Sequence, residues 1–206
     1  MQLDRALARL GEKKVEVVSA PENPYSKGTA ATNTAYKIGD RYTYRRFDTM
    51  FKVEGKPFTQ VVTNITENEV IYSKGGRVTD LLGNNRKLGP NIWSANQTVP
   101  TEFIVGKRWN TRFHLIEASG RDTVVNLELR VADREKITVP AGTFNAFRIE
   151  ARGWRTGSGV NVSWNWKTWY APDQVRAEVA SEWLFMTSGL KTLFSERREL
   201  TAFRQS

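Results

Sequence analysis

Cysteine is absent from this chain of 206 residues, and histidine occurs once, as His114. The first absence excludes disulfides and thiolate metal ligands. A single histidine cannot build the histidine-rich ligand sets of zinc sites, and a catalytic histidine needs a positioned partner. We expect His114, between Phe113 and Leu115, to lie on a strand face. The chain also lacks a G-x-G-x-x-G or phosphate-binding loop, so we predict no metal and no cofactor.

Long apolar runs are missing as well. No segment approaches the ~18 apolar residues of a transmembrane helix, and the opening MQLDRALARL has no apolar core like that of a signal peptide. Leu3, Leu7 and Leu10 instead recur at helical spacing, which predicts a short amphipathic helix. A strand (KKVEVVSA) and a tether rich in Pro, Ser, Thr and Asn follow. We predict helix, strand and tether over 1–37 and a single β-rich domain over 38–206.

The charge is strongly of one sign, with a formal net charge of +9 and a pI of about 9.9. Such a surface attracts nucleic acid, anionic headgroups or acidic glycans. The basic residues are nevertheless scattered and interleaved with acids, as in ERREL over 196–200. We therefore favour a solvated basic surface and predict no specific nucleic-acid partner. Nucleic-acid binding stays open as an alternative, because basic side chains and tryptophans alternate over 152–169.

From Ile38 onward the sequence is a series of β-type runs separated by turns. In KITVPAGTFNAFRIEARGW (136–154), Pro140 presets φ for a turn and Gly142 can adopt a positive φ, so two long strands form a hairpin there. Long antiparallel strands must twist, and a sheet with one apolar face must curl. We predict a mainly β protein, either a strongly curved antiparallel meander sheet or an incomplete β-barrel. Its free edges would permit a homodimer.

A short motif occurs twice. IGDRYTYR (38–45) and VGKRWNTR (105–112) share glycine, arginine, an aromatic residue and a second arginine at the same spacing. A half-domain repeat and a shared way of starting a strand both explain the match.

Seven tryptophans are the main candidates for a site. In VNVSWNWKTWY, alternation places Trp164 and Trp166 on the face of Val160 and Val162. That face is either core or the wall of an apolar ligand pocket. Tryptophans predicted to bind a ligand are Trp109, Trp164, Trp166 and Trp183. Residues predicted to be exposed and to bind a partner are Trp154, Arg155, Lys167 and Trp169.

Three sequence segments resemble motifs of a known family. VPAGTFNAFRIE (139–150), WYAPDQVRAEV (169–179) and the upstream GKRW (106–109) are similar to the hairpin, turn and strand of the DUF3108 family of bacterial envelope proteins and its TapB-like relatives. The resemblance covers about residues 38–203. It implies an exported, β-rich protein similar in fold to lipoprotein carriers and periplasmic lipid-binding proteins. It implies no catalytic residues.

The leading functional hypothesis is a non-enzymatic cell-envelope protein that binds an apolar or amphipathic, lipid-like ligand in its curled sheet. We expect it in the periplasm or at the outer membrane, with a signal segment that is not part of this chain. A structural or assembly protein that binds a protein partner or the cell wall is the alternative. A glycan- or peptidoglycan-processing enzyme is a weaker one, for which the carboxylates available as a pair are Glu117, Asp122, Glu128, Glu150, Glu178 and Glu182.

Overall fold

The computed structural model describes residues 25–206. The predicted amphipathic helix and the strand after it lie outside these residues. Within them the chain forms strands, turns and one short 3-10 turn at Ser73–Gly75. No helix among residues 25–206 is long and apolar enough to cross a membrane.

Fourteen antiparallel strands make up the structure. They are β1 (Thr29–Ala31), β2 (Arg41–Phe47), β3 (Glu54–Ile65), β4 (Glu69–Tyr72), β5 (Arg77–Asp80), β6 (Asn85–Leu88), β7 (Asn91–Trp93), β8 (Glu102–Ile104), β9 (Arg108–Ile116), β10 (Asp122–Val139), β11 (Gly142–Gly157), β12 (Val160–Tyr170), β13 (Glu178–Thr187) and β14 (Thr192–Arg204).

Twelve of the strands close into a barrel, in the order β10-β11-β12-β13-β14-β2-β3-β4-β5-β6-β7-β9. The predicted curved antiparallel sheet is confirmed, and it closes fully rather than forming the incomplete barrel that we also considered. Closure removes the free edges on which the expectation of a homodimer rested. The homodimer itself stays a prediction.

The strands of the barrel differ in length and in the number of residue pairs they form. From β10 to β14 the strands are 10 to 18 residues long and pair over most of their length. On the other side β6 pairs with β7 through two residue pairs, and β7 pairs with β9 through Ile92↔Ile116 and Trp93↔Leu115. This thin wall forms where the sequence had indicated only a turn-rich segment, 83–91.

The predicted hairpin at Pro140 is confirmed. Val139 pairs with Gly142, so Pro140 and Ala141 form the turn, and Gly142 has a φ of 137° that side chains rarely tolerate. β10 bulges between Val131 and Asp133, and from the Glu135–Ala146 pair onward the hairpin extends past its neighbours β9 and β12. The far end of the hairpin lies against β14, where the Ala141 amide donates to the Leu200 carbonyl at 3.1 Å.

The repeated motif has the same backbone geometry in both copies. Gly39 and Gly106 have φ values of 94° and 92°. Each donates its amide to the next strand of its hairpin, to the carbonyls of Val62 and Val131, both at 2.8 Å. Each hairpin thus begins with the same glycine-directed bend, as both a half-domain repeat and shared strand-start chemistry predict.

Part of the predicted tether is structured. Thr29–Ala31 form β1, which pairs with β8 in a separate two-stranded sheet. Ala30 is buried there together with Phe103, which has no exposed surface. A short strand in a segment rich in Thr, Ala and Asn carries too little periodicity to be recognised.

Candidate ligand cavity inside the barrel

Alternation along β12 lines the inside of the barrel with four side chains. Trp164, Trp166, Thr168 and Tyr170 all border one internal cavity. At about 3.3 Å per residue, these six steps of strand span about 20 Å. The cavity is therefore elongated along β12, and its volume is about 340 Å³.

Stacked aromatic rings form the wall at the Trp164 end. The Trp164 ring stacks on Phe185 with 4.7 Å between ring centroids, and Phe185 stacks on Phe194 at 5.2 Å. Trp166 stacks on Trp183, also at 4.7 Å. The pairing of β12 with β13 places Trp164 opposite Phe185 and Trp166 opposite Trp183, so sheet register brings these rings together.

The Tyr170 end of the cavity is polar. Arg77 and Glu178 both line it. The Arg77 guanidinium donates to Gln60 at 2.7 Å and to Asn85 at 2.9 Å, and it lies 5.4 Å from the centroid of the Tyr72 ring. Within residues 25–206, neither Arg77 nor Glu178 forms an ion pair.

Electrostatics at this end favour a charged arginine beside neutral phenols. Desolvation alone would lower the pKa of Arg77, but nearby Tyr72 and Glu178 raise it, and the net pKa is raised. Burial, with a smaller contribution from Glu178, raises the pKa of the Tyr170 hydroxyl well above its usual range. The cavity therefore runs from an aromatic end to a polar end that holds both the Arg77 guanidinium and the Glu178 carboxylate.

Three of the four tryptophans predicted to bind a ligand line this cavity, namely Trp164, Trp166 and Trp183. Trp109 does not line it. Its indole N–H donates to the Gln97 carbonyl at 2.7 Å, and its ring packs against the same core.

Sequence reasoning missed several cavity residues. Phe185 could have been found, because it lies two positions after Trp183 and therefore on the same face of the strand. Phe194 follows from its pairing with Phe185. Nothing local marks Arg77, which reaches the cavity because β5 belongs to the opposite wall.

The predicted partner-binding residues fall into two groups. Trp154 is 44% exposed and Lys167 is exposed, as expected. Arg155 instead lies inside the barrel, where its guanidinium donates to Glu117 at 2.5 Å and lies 5.9 Å from the Trp164 ring. The predicted exposure of Arg155 is wrong because the residue is three positions from Arg152 and so faces the other way.

The predicted exposure of Trp169 is wrong for a different reason. Trp169 is only 7% exposed, although it shares the outward face of Lys167. The end of the β10–β11 hairpin covers it, and Trp169 packs in one cluster with Ile137 and Phe144. Its indole N–H donates to Glu135 at 2.8 Å.

Most carboxylates that we considered for catalysis are engaged by arginine. Glu150 accepts from Arg130, Glu128 from Arg152, Glu182 from Arg197 and Glu117 from Arg155. His114 lies on a strand face as expected, half exposed, with its Nδ1 3.0 Å from the Asp122 carboxylate. In the part of the chain that the structure describes, no group of three or more His, Asp or Glu side chains could hold a metal ion.

The fold resembles those of two crystal structures. One is a protein assigned as exported, with a YmcC-like fold, from Bacteroides fragilis; it has a TM-score of 0.56 and 11% identity and covers 85% of this chain and 100% of its own. The other is a protein assigned as a lipoprotein from Parabacteroides distasonis, with a TM-score of 0.52, 10% identity and the same coverage. The chain therefore has a YmcC-like fold.

No family model and no curated protein sequence matches the chain. Membership of the DUF3108 and TapB-like family stays a prediction. At 10–11% identity the two crystal structures establish the fold alone.

Proposed function

We propose that this protein is a non-enzymatic component of the bacterial cell envelope that binds one apolar or amphipathic, lipid-like molecule inside its barrel. The elongated, aromatic-lined cavity is the observation that carries the proposal. Its volume of about 340 Å³ falls within the ~300–1,000 Å³ typical of small-molecule sites. The cell-envelope location rests on the resemblance to DUF3108 and TapB-like proteins and on the description of both structural neighbours as exported proteins or lipoproteins.

The distribution of polarity favours an amphipathic ligand over a purely apolar one. Over about 20 Å of β12 the wall changes from the Trp164, Phe185 and Phe194 rings to Tyr170, Glu178 and Arg77. An apolar chain would be buried against the rings, and a polar head would lie near Arg77. Because that guanidinium uses two of its five N–H groups on Gln60 and Asn85, it retains donors for a ligand oxygen.

A blocked cavity tests the proposal. Thr168 is 3% exposed and lies midway along the cavity, so Thr168→Trp and the milder Thr168→Leu should fill its middle. We expect the wild-type protein to enhance the fluorescence of N-phenyl-1-naphthylamine, Thr168→Leu to weaken this binding and Thr168→Trp to abolish it. Lys167→Trp is the matched control, since it adds the same ring on the outward face. Equal probe binding by all four proteins would contradict the proposal.

Binding of a protein partner is a second candidate, and it rests on Trp154. This ring is 44% exposed at the edge of an outer groove that Arg112, Asn126 and Arg152 also line. Exposed tryptophan beside arginine is typical of interaction hot spots. Cross-linking in envelope extracts should capture a partner with the wild type and lose it with Trp154→Ser. Retention of the partner by Trp154→Ser would contradict this role.

A further inference from the structure

Exposed apolar side chains concentrate at one end of the barrel. The β2–β3 and β13–β14 connections meet there, because β2 pairs with β14, and Phe47 at the end of β2 pairs with both Arg197 and Glu54. The large hydrophobic side chains exposed there are Met50, Phe51, Val53, Leu190, Leu193 and Phe194. The other exposed large hydrophobic side chains of residues 25–206 are spread over the rest of the structure, namely Tyr25, Ile38, Leu88, Ile92, Ile116, Trp154, Leu184 and Phe203.

Two neighbouring connections are the most apolar. We call residues 48–53 and 187–194 the tip surface. They lie side by side because β2 pairs with β14, and the hydroxyls of Thr49 and Ser195 are in contact. Exposed fractions reach 76% for Leu190, 69% for Phe51 and 60% for Val53. An exposed apolar patch of this kind marks a contact site for another molecule or a membrane.

Two residues of the tip surface have a strained backbone. Leu190 has a φ of 62° and Lys52 a φ of 55°, a region normally occupied by glycine or asparagine. Leu190 is also the most exposed large hydrophobic residue described. A strained leucine that packs against little of its own protein indicates a role outside the fold.

The charged residues of the tip surface indicate what kind of surface it contacts. Lys52, Lys56 and Lys191 are exposed on or next to the tip surface, and none of them forms an ion pair with a described residue. Two carboxylates lie there as well: Asp48 accepts two backbone amides of its own turn, and Glu54 is exposed at the start of β3. Apolar tips with unpaired lysines fit the headgroup region of an anionic bilayer, which combines negative charge with an apolar interior.

We propose that this end of the barrel docks onto bilayers that contain anionic lipid, with Phe51 and Leu190 inserted between headgroups and the tip lysines on the membrane surface. Phe194 joins the tip surface to the cavity, because it lines both the internal cavity and the outer depression beside Phe51 and Val53. Docking would therefore place the aromatic end of the cavity towards the lipid. Docking needs no ligand in the cavity, whereas passage of a ligand past Phe194 rests on the proposed function.

Co-sedimentation with vesicles tests the docking. The wild type should pellet with vesicles of phosphatidylethanolamine and phosphatidylglycerol and bind phosphatidylcholine vesicles at least tenfold more weakly. Leu190→Asn, which tolerates a positive φ, should weaken binding about fivefold, and Phe51→Ser by about tenfold. Ile38→Ser is the matched control, since Ile38 is 64% exposed at the opposite end and should leave binding unchanged.

The lysines require their own variants. Lys52→Asn and Lys191→Gln should each weaken binding to the anionic vesicles about fivefold, and about 0.5 M salt should remove this difference, with Lys136→Gln as the control at the other end. A wild type that ignores both kinds of vesicle, or tip variants that bind like the wild type, would overturn the proposal and leave a protein partner for this surface. N-phenyl-1-naphthylamine binding by the same variants reports separately on the cavity, so the two proposals fail independently.

Discussion

Replacement of Leu190 by glycine should stabilise the protein. A left-handed backbone costs a residue other than glycine about 1–2 kcal/mol, and the φ of Leu190 is 62°. Glycine removes this cost but adds about 0.4–1 kcal/mol of freedom to the unfolded chain. Leu190 is 76% exposed, so little packing is lost. The net gain in the free energy of unfolding should be about 0.5–1 kcal/mol.

Urea denaturation followed by tryptophan fluorescence measures this gain. With a slope of roughly 2 kcal/mol per molar urea, the midpoint should rise by about 0.3–0.5 M while the slope stays constant. Ser188→Gly is the control in the same turn, because Ser188 is exposed and does not have a positive φ. It should lose about 0.4–1 kcal/mol, since glycine there only adds freedom to the unfolded chain. If the urea midpoint of Leu190→Gly falls, as that of Ser188→Gly should, the backbone strain on which the role of Leu190 depends is refuted.

Two further predictions concern the fold. A Cβ at Gly153 would lie 1.9 Å from the Asn126 carbonyl oxygen. Gly153→Ala should therefore lower the free energy of unfolding by about 3 kcal/mol or more. An unfolding midpoint like that of the wild type would contradict this close approach. The other prediction concerns Asp40. Desolvation raises the pKa of its carboxyl, but hydrogen bonds from the Lys37 and Ser206 amides and from the Arg176 guanidinium lower it by more, so the net pKa is lowered. A lowered folded pKa stabilises the protein above pH ~4 and loses that contribution as the pH falls through the folded value. Unfolding midpoints at pH 7 and pH 3 should therefore differ more for the wild type than for Asp40→Asn, and an equal difference would contradict the account.

Turn residues and side-chain alternation were sufficient to predict the long strands of the barrel. Pro140 and Gly142 identified the longest hairpin, and alternation placed Trp164 and Trp166 on the inward face. These features depend on residues within one or two strands, where side chains alternate strictly between faces.

Closure and coverage could not be predicted because they depend on distant pairings. The barrel closes through β7, which forms two residue pairs with β9. At three residues, β7 is too short to show a periodic pattern in the sequence. Alternation assigned Trp169 to the outward face correctly, but it could not show that Ile137 and Phe144 cover that face. The ligand site was predicted from four tryptophans, three of which line the cavity, whereas its polar end at Arg77 required the opposite wall.

The tip surface illustrates a different limit. Its side chains are ordinary in sequence, and they form a patch only because β2 and β14 become neighbours on barrel closure. The positive φ of Leu190 is equally invisible in the sequence, since glycine stands one position earlier and leucine takes the strained conformation.

Native mass spectrometry of protein purified gently from a bacterial host tests the central claim most directly. The account predicts a bound mass of several hundred daltons that is lost on denaturation and is absent from Thr168→Trp but present in Lys167→Trp. A ligand-binding barrel would be contradicted if the wild-type protein shows only the mass of its own chain and also fails to bind N-phenyl-1-naphthylamine.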